Sequence, residues 1–205
     1  MNEKIQKSSK VNVKFLTFSA IMIALSSVLS LIKVVQMPLG GSITLLSMVP
    51  ICCVSIVYGL GYGVISAFVY SCMQLIFAIL IPQDGMGTLL GWGLSGTQLA
   101  ECIILDYILA YTALGLCGMF RKKGNLGIVA GVILAMFLNF LSHFVSGYVV
   151  FTYLEQFPLF GKLFENRPVL YSIAYNAFYM LPETVITSAA IYTLARTKIL
   201  ERLKK

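Results

Sequence analysis

The sequence predicts an all-α integral membrane bundle of six transmembrane helices, with N- and C-termini cytoplasmic. Three observations lead there. Of the 205 residues, 59% are hydrophobic and only 11% charged, against about 45–50% apolar and about 25% charged in an ordinary soluble domain. The mean hydropathy is +0.88; one soluble globule of this length cannot bury that much apolar surface, and disorder, a coiled coil or a secreted disulfide scaffold is excluded by the same composition. Finally, twelve of the fifteen basic residues fall in three segments: Lys4, Lys7, Lys10 and Lys14; Arg121, Lys122 and Lys123; and Arg196, Lys198, Arg202, Lys204 and Lys205. That clustering follows the positive-inside rule and marks cytoplasmic ends, not a nucleic-acid surface.

The first span, near residues 15–35, follows the four lysines. It lacks a small-residue cleavage site and more spans follow it, so it reads as a retained helix and not as a removed signal peptide. The second and third, near 43–58 and 62–81, are separated by a tight turn at Gly59 and Gly61. The fourth, near 99–120, runs into the basic cluster. The fifth lies near 126–154, and the sixth, near 169–195, ends in the basic tail. Each has the roughly 20 apolar residues that cross about 30 Å of hydrocarbon. Together they leave room for one membrane domain over 1–205. With the N-terminus inside, four crossings bring 121–123 back inside and six do the same for the tail. The outer loops are then 36–42, 82–98 and 155–168; the Gly-rich middle one could lid a cavity or serve as a plain connector.

Small residues recur at spacing four: Ala20 and Ala24, Gly59 and Gly63, Gly127 and Gly131. Such faces let helices approach closely in lipid. The five cysteines form no CxxC and read as small buried hydrophobes, so no metal, disulfide or cofactor is assigned. No Walker motif is present, so ATP-driven work falls to a partner.

Polar groups at membrane depth are costly and point to function. At about 1.5 Å per residue from the basic ends, Asp106 stands roughly 22 Å up its helix, His143 roughly 24 Å and Asn176 roughly 30 Å. Three helices thus deliver polar groups to a similar level, as one outward-opening pocket would require. Asn139, His143, Gly147 and Phe151 recur every four residues and form one stripe, with Gly147 leaving room for a flat ligand against the backbone. Asn176, Tyr179 and Glu183 share a face of the last helix, beside Tyr171 and Tyr175; Tyr107 follows Asp106. The plainer readings are an Asp106–His143 structural pair, Tyr70, Phe151 and Tyr171 as packing aromatics, and Glu183 as a partner of Asn139 or of the kink at Pro182. One carboxylate, an imidazole, an amide and many aromatics suit a small, flat, cationic or amine-bearing molecule.

The segments GGSITLLSMVPI (40–51), LDYILAYTALGLCGMF (105–120), HFVSGYVVF (143–151) and YSIAYNAFYMLPE (171–183) resemble, in order and over nearly the whole chain after residue 15, the thiamine-specific substrate-binding (S) subunit of energy-coupling factor (ECF) transporters. The resemblance implies a six-helix subunit that binds a vitamin near the outer surface. It also implies a transmembrane coupling subunit and two cytoplasmic ATPases as partners in the cell membrane. It places ligand contacts on Asp106-Tyr107, on His143, Gly147 and Phe151, on Tyr171 and Asn176, and on Tyr70, and partner docking on Ala20 and Ala24. The chain departs from the family pattern where Asp106 replaces Glu, and where Phe151 and Tyr70 replace Trp; Trp92, the sole tryptophan, falls in the outer loop. Thiamine is the expected ligand, without catalysis. The competing readings are another heteroaromatic vitamin or thiamine precursor, an intramembrane enzyme using Asp106 and His143, and a structural membrane subunit.

Overall fold

The computed structural model describes residues 13–82, 87–151, 164 and 167–203. Lys4, Lys7, Lys10, Lys204, Lys205 and most of the expected loop at 155–168 lie outside them. The described chain forms six helical rods and a small hairpin. Helix α1 is Val13–Ser30; strands β1 (Lys33–Gln36) and β2 (Ser42–Thr44) pair antiparallel; α2 is Val49–Tyr58 and α3 Leu60–Leu80. The fourth rod covers 96–118 as α4 (Gly96–Cys102), π-turns over Ile103–Leu109, α5 (Ala110–Thr112) and 3-10 turns over Ala113–Gly118. Helices α6 (Gly124–Val149) and α7 (Pro168–Arg196) follow, with a last turn α8 at Ile199–Leu203.

The rods are inside-out relative to a soluble bundle. In α1, Leu16, Ile21, Leu25 and Val28 are exposed while Ser19, Ser26, Ser27 and Ser30 are buried. In α7, Val185 is 67% exposed and Glu183, two residues away, 0%. Hydroxyls and carboxylates turned inward and aliphatics turned outward fit a hydrocarbon solvent. Val13–Ser30, Leu60–Leu80 and the apolar stretch Gly96–Val149 are long and apolar enough to cross a membrane.

Several boundaries differ from expectation. The first helix stops at Ser30, not near 35, and the loop expected at 36–42 is a hairpin beginning at Lys33. The second span is helical only from Val49, so residues 43–48 descend as non-helical chain. A short apolar run does not by itself choose between helix and non-helical chain. Leu46 turns that chain with φ of 61°. The break before α3 is a single residue, Gly59, with φ of 103°; Gly61 lies inside the helix.

Close approaches hold the basic end together. Ser55 Oγ donates to the Gly115 carbonyl and accepts from Gly118 N at 2.9 Å. A side chain at Gly63, Gly115 or Gly118 would collide with the facing backbone or with Ser55. Arg121 Nη1 donates to the carbonyls of Ile56 and Val57, at 3.1 and 2.9 Å, and so satisfies carbonyls at the C-terminus of α2 that have no helical partner.

Candidate functional site

The cavity exists because α2 is too short. Ten residues rise about 15 Å, half the thickness of the hydrocarbon. Above them the hairpin with Ser47 and Met48 lines a cavity of about 320 Å³, toward the lower end of the roughly 300–1,000 Å³ typical of small-molecule sites. Its other walls come from α3, the fourth rod, α6 and α7.

Asp106 sits where the fourth rod widens. Ala110 N bonds to the Leu105 carbonyl, an i→i+5 contact, and Ser142 Oγ donates to the same carbonyl at 2.6 Å. Single-turn widening of this kind recurs at functional sites. It brings Asp106 and Tyr111, five residues apart, to the same cavity. His143 Nδ1 donates to Asp106 Oδ1 at 2.8 Å. Oδ2 accepts from Ser146 Oγ and from Cys102 Sγ at 3.3 Å. Three donors therefore converge on one carboxylate.

Aromatic rings form a continuous wall. Tyr70 meets Tyr111 edge-on at 5.5 Å, and Tyr111 and Tyr179 each meet the His143 ring at 6.2 Å. Tyr171, Tyr175 and Tyr179 follow one another up α7 at 5.9 Å spacing. Asn176 is held within this wall: its Nδ2 donates to the Ser172 carbonyl at 2.9 Å and the His143 carbonyl at 3.3 Å, and its Oδ1 accepts from Tyr179 OH at 2.7 Å.

The hairpin is tied down at two points. Tyr175 OH accepts from Gly41 N at 3.0 Å and donates to the Pro38 carbonyl. Glu183 Oε1 accepts from Thr44 Oγ1 at 2.7 Å and from Thr44 N. Glu183 Oε2 has no hydrogen-bond partner among the described residues.

The structure gathers all nine residues expected at the site around this one cavity: Asp106, Tyr107, His143, Gly147, Phe151, Tyr171, Asn176, Tyr70 and Glu183. The structure adds detail to this set. The direction a Cβ would take from Gly147 is filled by Ser172 and Asn176, so that glycine also serves the α6–α7 contact. Glu183 pairs with Thr44, and Asn139 has no side-chain hydrogen bond among the described residues. Trp92, placed in the loop by sequence, lines the cavity 6.0 Å from the Phe151 ring. The sequence does not mark Tyr111, because a regular helical period turns it away from Asp106, or Thr44, because its segment reads as helix. Ala20 and Ala24 lie on the exposed face of α1, apart from the cavity. Among the described residues no cluster of three or more His, Cys, Asp or Glu could hold a metal.

Comparison with known proteins agrees with this architecture. The thiamine transporter ThiT of Bacillus subtilis (strain 168) is 26% identical over 210 residues, covering 96% of this chain and 95% of that protein. A solved structure of ThiT from Listeria monocytogenes matches with a TM-score of 0.67 at 19% identity, over 94% of this chain and 97% of that one. The S-component for biotin from an ECF-type ABC transporter matches at 0.52 and 21% identity, over 98% and 100%. These two structures show a shared fold. A family model described as thiamine transporter protein (Thia_YuaJ) matches residues 16–202, and on that span the chain belongs to the thiamine transporter protein family.

Proposed function

We propose that this chain is the high-affinity substrate-binding subunit of an ECF-type vitamin transporter and binds thiamine in the cavity beneath the hairpin. The observation that carries the reading is the convergence of an acid–imidazole pair and a wall of tyrosines on one cavity inside an apolar bundle. Thiamine joins an aminopyrimidine, which has both donors and acceptors, to a permanently cationic thiazolium ring. Aromatic faces offer such a ring stacking and cation–π attraction, roughly 0.5–2 kcal/mol each. Asp106 and His143 offer the aminopyrimidine an anion and a ring nitrogen at one level; Tyr107, Phe151, Tyr171 and Tyr70 shape the space around it. The intramembrane-enzyme reading is set aside because the matched relatives are transporters.

On this reading the subunit is a multi-pass protein of the cell membrane with both termini cytoplasmic. The basic residues 121–123, Arg196, Lys198 and Arg202 end their helices away from the cavity and would face inside. ATP hydrolysis belongs to two cytoplasmic ATPases acting through a transmembrane coupling subunit, for which Ala20 and Ala24 form the docking face. A second ligand of the same class stays in view because the biotin S-component shares the fold. Incubating the purified chain with an equimolar vitamin panel and identifying the retained molecule by mass spectrometry tests the proposal. Thiamine, recovered unmodified, is the expected result; retention of another vitamin in its place overturns the ligand assignment.

A further inference from the structure

The cavity holds two carboxylates, and they differ in what remains for a ligand. Asp106 already receives His143, Ser146 and Cys102, so both of its oxygens have donors within the protein. Glu183 receives Thr44 twice on Oε1, while Oε2 is unpartnered in a residue that is 0% exposed and lines the cavity. Lys33 lines the same cavity but makes no hydrogen bond to Oε2. A carboxylate is retained at such a position when a charge arrives to meet it.

The missing donor is itself informative. A quaternary ring nitrogen has no N–H, so it cannot use a carboxylate oxygen that is held in a hydrogen-bond network. It needs a nearby carboxylate oxygen that no donor has claimed, walled by rings that exclude water. Glu183 Oε2 has that character, in a cavity also lined by Tyr70, Tyr111 and Met180. Thr44 pins the other oxygen, so the carboxyl group is held in one orientation and Oε2 is left without a donor. Glu183 and Asn176 are seven residues apart on α7, about 10 Å along the axis, so the two polar regions lie at different levels of one cavity.

Resting on the thiamine reading above, we propose that Glu183 Oε2 is the counter-ion for the permanent cation of the ligand, and that the Asp106–His143 pair recognises the neutral, hydrogen-bonding ring. The site therefore takes a molecule with two unlike ends: a donor–acceptor heterocycle and a quaternary aromatic cation.

The test compares thiamine with its uncharged thiophene isostere, in which a carbon replaces the quaternary nitrogen, by calorimetry on the purified chain. The natural chain should prefer thiamine by about tenfold or more. Glu183→Gln should bring that preference to within roughly threefold while leaving isostere affinity nearly unchanged. Asp106→Asn should weaken both ligands by similar factors and keep the preference. The assignment is overturned if Glu183→Gln keeps the preference, if the natural chain shows none, or if Asp106→Asn alone abolishes it. Should Glu183→Gln fail to fold, the natural chain and Asp106→Asn still decide between the two carboxylates. If the natural chain binds the vitamin panel but not thiamine, the ligand reading fails first, and this assignment fails with it.

Discussion

Tyr175 shows how one phenol can control access to the cavity. Its hydroxyl serves both sides of the hairpin turn, accepting from Gly41 N and donating to the Pro38 carbonyl. Tyr175→Phe leaves both groups without that partner, at a cost of about 1–3 kcal/mol for each buried polar group left unmet. The hairpin should open more often: amide exchange over residues 33–44 accelerates, and bound thiamine dissociates several-fold faster while the helices melt unchanged. Exchange equal to the natural chain would remove the phenol from this role. At this scale the sequence was informative about Asp106 and His143, because membrane depth and the four-residue stripe bring them together. It was silent on Trp92 and Thr44, whose positions follow from loop and hairpin paths and not from a helical period.

Helix α2 ends on Arg121. The guanidinium takes the carbonyls of Ile56 and Val57, and a side chain at Gly59 would run into it. Arg121→Lys preserves the cytoplasmic positive charge but replaces a planar fork with a point charge. Topology should therefore hold while stability drops by about 1–2 kcal/mol, read as a lower melting temperature of the purified protein in detergent. An unchanged melt would make the contact incidental. The number and order of the rods were legible from hydropathy and charge alone. Two things were not. The chain at 43–48 carries apolar residues as a helix would, and its non-helical path is held at Thr44 by contacts from α7, 139 residues away in sequence. The π-turns at Ile103–Leu109 change the helical phase without changing composition.

The whole molecule presents one face of α1 on which Ala20 and Ala24 are exposed and take no part in the cavity. Bulky residues there should block close approach of another helix. Ala20→Trp combined with Ala24→Trp is expected to abolish co-purification with the coupling subunit and vitamin uptake, with thiamine affinity of the isolated subunit unchanged. Assembly of that variant would make the face ordinary lipid-facing surface, and loss of binding alone would place α1 inside the bundle. The half-length α2 carries a different consequence, one of permeability. Above it the bundle is hollow and polar. At its own level, Ile51, Val54, Leu114, Val132, Met136 and Ile191 are all 0% exposed, a packed floor closed at its base by the glycine contacts around Ser55. The chain is thus a cup and not a pore. On the proposed reading, cargo bound above meets a closed floor, so its release on the far side requires the packing of that floor to rearrange.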